Sequence, residues 1–228
     1  MDKTKRKTLL HQGAGEGDKY IPPLKFGWLT PAFDSLLRLT MRELVFKRQL
    51  IDQAHVEKGY RILDVGCGTG TLAIMIKSAH PDSKVTGLDA DAKALEIAGL
   101  KIKNAGLEIY LIRGMSYNLP FPDGIFDRAF SSLMFHHLDR NNKQRTLQEV
   151  FRVLRPGGEF HLADFGRPRN PAMYLISQLL TLFERTQDNI RGLLPGMIID
   201  AGFEMVEETA NYLTMFGNLR LYRARKPR

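Results

Sequence analysis

The segment Leu63 to Gly70 reads LDVGCGTG, a run whose residue types and spacing together suggest a chemistry. Gly66, Gly68 and Gly70 carry no Cβ, so the main chain there can approach a ligand that side chains would exclude. The dinucleotide fingerprint G-x-G-x-x-G sets a pyrophosphate on the next helix N-terminus and needs its third glycine at position 71, which is Thr71. Asp64, at the entry to the turn, would repel a phosphate and attract a cationic or ammonium-bearing group. Asp89 lies nineteen residues beyond Gly70, in GLDAD. A carboxylate at that place can accept from both hydroxyls of a ribose. Read alone, Asp89 would be the N-cap of the helix that follows. Taken with LDVGCGTG, the ribose role is preferred and Asp91 is left to cap.

A second set of candidates is His136 and His137 in SSLMFHHLDR. A histidine can take a proton from a substrate near neutral pH, and packing or loop capping is the competing reading. Asp139 needs no explanation beyond capping the next helix. The N-terminal aromatics Tyr20, Phe26, Trp28 and Phe33 suit either an apolar lid or plain packing of an entry helix. Met173, Tyr174, Leu175, Ile176, Leu179, Leu180, Leu182 and Phe183 have amphipathic helical spacing and leave the same two readings open.

These residues need a scaffold, and the pattern of the chain supplies one. After Gly59, apolar runs alternate with helical periodicity: strands at 61–65, 84–89, 108–114, 126–132 and 159–165, with helices at 71–79, 91–106 and 142–158. Helical patterns at 171–185 and 190–201 precede strands near 203–209 and 216–224. An open α/β sheet of this kind binds ligands at the carboxyl ends of its strands, where the candidates fall. The expected organisation is a polar basic tail over residues 1–19, a lid and helix over 20–58, and an α/β domain over 59–228.

Composition narrows the function classes. The 228 residues hold 33 Lys+Arg and 25 Asp+Glu, a net charge of +8. Residues 1–8 carry net +3 and residues 219–228 net +5, so the remainder has 24 charges of each sign. A neutral body between two basic ends disfavours a nucleic-acid-binding face. It suggests instead peripheral contact with an anionic membrane surface through the ends, with a bland role for the C-terminal charges in guarding an edge strand. Cys67 is the single cysteine, which excludes an intrachain disulfide and a Cys-based zinc site and fits a cytoplasmic setting. No metal is expected. No apolar run approaches the ~18 to 20 residues of a membrane span, and no signal peptide is recognisable.

With LDVGCGTG and Asp89, the motifs LPFPDGIFD (119–127), Ser131–Ser132 and RVLRPGGEFHLADFGRP (152–168) make residues 60–225 closely resemble the class I S-adenosylmethionine-dependent methyltransferases. Within that class, the FPD-x-x-FD element, the VL-R-PGG turn, the strand ending in FGRP and AGF (201–203) are most similar to the C-methyltransferases of ubiquinone and menaquinone synthesis. The resemblance implies a Rossmann-like α/β fold: a mostly parallel seven-stranded sheet with helices on both faces and an N-terminal helical lid. It implies S-adenosyl-L-methionine as cofactor. Asp64 would lie near the methionine ammonium. Gly66, Cys67, Gly68, Thr69 and Gly70 would line methionine and ribose, with Asp89 and Ala90 at the ribose. Met115 and Ser116 would flank adenine, and Ser132 would meet the cofactor beyond the fourth strand. Many relatives carry Asp or Asn where this chain has Met115, so main-chain groups or the Ser116 hydroxyl would read the base edge while the thioether packs on the ring.

The implied activity is methyl transfer to a small hydrophobic acceptor such as an isoprenoid quinol, with Tyr20, Trp28, Phe33 and Tyr174 as lid and His136 or His137 as base. A phospholipid amine or a soluble small molecule is the alternative acceptor. An amino-methylating nucleic-acid enzyme would carry [DNS]-P-P-[YFW] where this chain has Ser131, Ser132, Leu133 and Met134. The cytosine C5 type needs a catalytic cysteine, whereas Cys67 sits in the cofactor turn. A cofactor-binding scaffold without catalysis is a third possibility. Oligomeric state is left open.

Overall fold

The computed structural model describes residues 43–168, 187–214 and 217–228. Its strands are β1 (Arg61–Val65), β2 (Lys84–Asp89), β3 (Tyr110–Arg113), β4 (Phe126–Ser132), β5 (Leu154–Phe165), β6 (Glu204–Thr214) and β7 (Gly217–Arg225). They form one seven-stranded sheet in the order β3-β2-β1-β4-β5-β7-β6. The first five run parallel, and β7 is antiparallel to both β5 and β6. The strand order reverses between β1 and β4, which opens a crevice at their carboxyl ends. Ser131 Oγ donates to the Val65 carbonyl at 2.9 Å and joins the two strands at the crevice floor.

The helices are α1 (Glu43–Asp52), α2 (Thr71–Ala79), α3 (Ala92–Asn104), α4 (Arg140–Val153), α5 (Gln187–Ile190) and α6 (Leu194–Asp200), with a 3₁₀ turn at Phe135–His137. Both faces of the sheet are covered, so the central strands read as apolar runs rather than as alternations. Leu63, Val65, Leu147, Val150, Phe160, Leu162, Ile198 and Phe203 fill one core. Phe46, Leu50, Ile62, Leu72, Ile76, Val85, Phe130 and Leu221 fill the other. Phe46 and Leu50 are fully buried and anchor α1, at about 1.5 to 3 kcal/mol for each such side chain. Asp91 and Asp139 cap α3 and α4, accepting from the amides of Lys93 and Asn142 at 2.8 Å.

The structure revises several expected boundaries. The helix expected over 142–158 is α4, which ends at Val153, and β5 already begins at Leu154. Leu154 pairs with Phe126 before the register shifts, so Arg155 to Gly158 form an irregularity within the ladder rather than a helix end. Pro156 has no amide proton to donate and Gly157 has φ +75°, which suits a bend inside a strand. β3 is shorter than expected, and β6 runs on to Thr214. The expected helix at 171–185 and the lid residues Tyr20, Phe26, Trp28, Phe33 and Tyr174 lie outside the described residues.

Candidate functional site

The carboxyl end of β1 leads directly into the glycine turn. Gly66, Gly68 and Gly70 have φ of +72°, +52° and +78°, conformations that residues with a Cβ adopt only with strain. Space also demands glycine: a Cβ on Gly66 would lie 2.8 Å from Met134 Cβ, and one on Gly70 would lie 3.0 Å from Ala98 Cβ.

The hydrogen bonds of the turn show what it cannot bind. The amides of Gly66 and Cys67 donate to the Leu88 carbonyl at 2.8 and 3.0 Å, and that of Gly70 to the Cys67 carbonyl at 2.9 Å. The Gly68 amide donates to Asp89 Oδ2 at 2.7 Å. The amides of Gly66, Cys67, Gly68 and Gly70 are thus committed within the protein and do not line a phosphate cradle in the turn itself. Carboxylates, not amides, are what the crevice offers.

Asp64 is 1% exposed, and neither of its oxygens has a hydrogen-bond partner. Burial pushes its carboxyl up to about 7 and the nearby Asp89 adds to the rise, while the Lys47 ammonium and the Ala73 amide, which approaches short of full hydrogen-bond geometry, pull the other way. Lys47 itself is buried on α1 and paired with Glu43 at 2.5 Å. An unpartnered buried carboxylate is a costly feature in a water-free site unless a ligand supplies the counter-charge. An ammonium group does so directly. The Asp89 carboxyl is also raised, chiefly by burial. Its two oxygens accept from Gly68 and Asp91, at 2.9 Å for the latter, and retain lone pairs for the two hydroxyls of a ribose.

The remaining candidates are placed as follows. The Cys67 side chain is buried against β2, where a Cβ on Gly87 would be 2.9 Å from its sulfur, so Cys67 can line the crevice only through its backbone. Burial, together with Asp64 and Asp89, raises its thiol well above the ordinary range. The Thr69 hydroxyl accepts from Lys101 Nζ at 2.7 Å, and the Ala90 carbonyl accepts from Arg113 Nε at 3.3 Å. Met115 and Ser116 follow β3 on the same edge of the sheet. Ser116 Oγ lies 3.0 Å from Thr146 Oγ1, which directs that hydroxyl toward α4. Ser132 ends β4 with a buried, unpartnered Oγ.

Beyond Ser132 the chain turns sharply. Leu133 has φ +56°, unusual for a residue with a Cβ, and its amide donates to the Ala163 carbonyl at 2.8 Å. This turn lays Met134 against Gly66 and starts the 3₁₀ turn carrying both histidines. His136 is 4% exposed, with Nδ1 at 2.9 Å from Asp164 Oδ1. Burial, and then the neighbouring His136, hold His137 down to about 3, so it stays neutral through the physiological range and is a poor base.

Sequence reasoning passed over Asp164, Asn189, Met134 and Lys47. Asp164 is fully buried at the end of β5 and accepts from Phe135 N, His136 Nδ1, Phe165 N and Asn189 Nδ2 at 2.7 to 3.1 Å. Burial alone would raise its carboxyl, but His136 and the Phe165 amide outweigh burial and hold it low. The acid within the apolar run FHLADF was the available signal. Among the described residues no His, Cys, Asp and Glu cluster is suited to a metal ion.

A 3-2-1-4-5-7-6 sheet with β7 reversed, an acidic crevice at the β1/β4 switch and amides withheld from phosphate together define a class I S-adenosylmethionine-dependent methyltransferase. Comparison with known proteins agrees. The methyltransferase domain family matches residues 62–158. A demethylmenaquinone methyltransferase of Thermus thermophilus is 34% identical over 173 residues, 75% of this chain and 77% of that protein. In fold, the YcgJ protein of Bacillus subtilis superposes with a TM-score of 0.66 at 20% identity, over 80% of this chain and 98% of its own. A phosphoethanolamine N-methyltransferase of Haemonchus contortus in complex with S-adenosyl-L-methionine gives 0.64 at 16% identity, over 80% of this chain and 52% of its own. The chain belongs to the methyltransferase family that includes the ubiquinone and menaquinone C-methyltransferases, and S-adenosylmethionine is its cofactor.

Proposed function

We propose that this methyltransferase acts on a ring carbon of an isoprenoid quinol. The observation that carries the acceptor is the 34% identity to a demethylmenaquinone methyltransferase across three quarters of both chains. S-adenosylmethionine supplies an activated methyl whose transfer breaks the S–C bond, returns the electron pair to sulfur and leaves a neutral thioether. The protein has only to place, orient and dehydrate the reactants.

Asp64 takes the methionine ammonium, which fits its two unpartnered oxygens, and Asp89 takes the ribose hydroxyls. Met134, packed against Gly66, separates the cofactor turn from the acceptor side. Ring carbon becomes nucleophilic when the quinol hydroxyl loses its proton, and His136 is the group we assign to take it. With Nδ1 donating to Asp164, the basic nitrogen of His136 is Nε2, and the buried Asp164 charge stabilises the imidazolium that results. The electron pair of the deprotonated ring forms the new C–C bond. Loss of the proton from that carbon to solvent restores the aromatic ring.

The test is transfer of labelled methyl from S-adenosylmethionine into a cell extract, followed by separation into lipid, nucleic-acid and water-soluble fractions. The reading predicts label in lipid, on carbon of an isoprenoid quinol. Label in RNA or in a water-soluble amine overturns it.

A further inference from the structure

We propose that Asn189 Oδ1 is the hydrogen-bond acceptor that recognises the hydroxyl of the methyl acceptor. This deepens the quinol reading and rests on it for the location of the acceptor. Asn189 lies on α5, is fully buried, and donates through Nδ2 to Asp164 Oδ1 at 3.1 Å. A carboxylate held low in pKa only accepts, so the amide orientation is settled: the NH₂ faces Asp164 and the oxygen faces away. That oxygen is buried and has no partner. An acceptor left in this state has lost its bond to water without replacing it, and a ligand donor would restore one.

Its neighbours tie the orphan oxygen to the acceptor side. Asp164 holds Asn189 and His136 through the same oxygen, Oδ1, at 3.1 and 2.9 Å. Fully buried, with three donors on Oδ1 and the Phe135 amide on Oδ2, Asp164 acts through the side chains it holds and is a positioning residue. It follows Ala163, the register partner of Ser132, whose own hydroxyl is buried and unpartnered. Unpaired polar atoms on Asp64, Ser132 and Asn189 thus mark one sheet edge, from the cofactor turn across Met134 to α5. Lys143 and Asp188, 3.7 Å apart, complete the charged surroundings of Asp164. A phenolic hydroxyl fits Asn189 Oδ1 because it can donate. A methyl ether of the same ring cannot.

The experiment measures binding of 1-naphthol and of 1-methoxynaphthalene to the full chain saturated with S-adenosylhomocysteine, by calorimetry. The wild-type protein should prefer the naphthol by about tenfold, as one hydrogen bond of ~1.4 kcal/mol requires. Asn189→Leu should abolish the preference while leaving S-adenosylhomocysteine affinity within about twofold. If Asn189→Leu does not fold, Asn189→Ser, which keeps a polar group but loses reach, should also lose the preference. Equal binding of the two ligands by the wild type, or an undiminished preference in a folded variant, overturns the proposal. A wild-type protein that prefers naphthol yet methylates no quinol would sink the quinol reading and leave this site standing.

Discussion

The Gly68 amide donates to Asp89 Oδ2 at 2.7 Å, so the turn after β1 is tied to the carboxyl end of β2 before any ligand arrives. One side chain thereby shapes the loop and offers its remaining lone pairs to a diol. Such preorganisation removes part of the ordering cost of binding. It also explains why Asp89 is not merely a helix cap, since Asp91 caps α3 independently.

Asp64→Asn should trade binding for stability. The Asp64 carboxyl is raised to about 7 from its ordinary 3.8, so between those values the native state holds a proton that the unfolded chain has released. Stability therefore falls as pH rises through that window, and the full penalty persists above it. The variant should be more stable than wild type at pH ~8 by on the order of 1 to 4 kcal/mol, and equal to it near pH ~4. Denaturant titrations at the two pH values check this. A variant that is less stable at both would show that Asp64 is already compensated in the ligand-free protein.

Gly66→Ala should be rescued in part through Met134. The added Cβ meets the Met134 side chain and also suffers a φ of +72°. Overpacking of this kind costs ~1 to 3 kcal/mol. Met134→Gly removes the clash, Cβ contact included, but not the backbone strain, so a double-mutant cycle in urea should give a favourable coupling of ~0.5 to 3 kcal/mol. Strict additivity would mean that Met134 does not lie over the turn.

The sheet, the glycine turn and both strand-end carboxylates were legible because each rests on local patterning. Buried parallel strands read as apolar runs such as RILDV, and a turn that needs three left-handed residues requires glycine at fixed spacing. The end of α4 was misread because VLRPGG looks like a helix stop. What decides it is the pairing of Leu154 with Phe126, a contact between residues far apart in the chain. Asn189 was illegible for the same reason. It sits in QDNI without motif or periodicity, and only Asp164, twenty-five residues earlier, makes its amide specific. The cluster of C-terminal bases was visible as charge but not as pairing. Arg223 meets Glu207 at 2.8 Å, Arg220 pairs with Glu208, and Lys226 Nζ donates to the Phe151 and Leu154 carbonyls at 2.8 and 2.7 Å.

That pairing sharpens the membrane expectation. Bases near an anionic bilayer contribute about 1 kcal/mol each when their charge is available, and Arg220, Arg223 and Lys226 are engaged within the protein. Among the described residues no helix is long and apolar enough to cross a membrane. Co-sedimentation with anionic vesicles should be salt-sensitive, and deleting residues 3–7, which hold four bases, should weaken it more than neutralising Arg223 and Arg225. The reverse order would place the contact on β7.

The most direct test is calorimetric titration of S-adenosylmethionine into the wild-type chain and Asp89→Ala. Wild type should bind, with affinity that rises between pH ~6 and ~7.5 as Asp64 ionises to meet the ammonium, and Asp89→Ala should bind at least tenfold more weakly, about 1.4 kcal/mol. No binding by the wild type at ~1 mM cofactor, or equal affinity in the two proteins, would contradict the site described above.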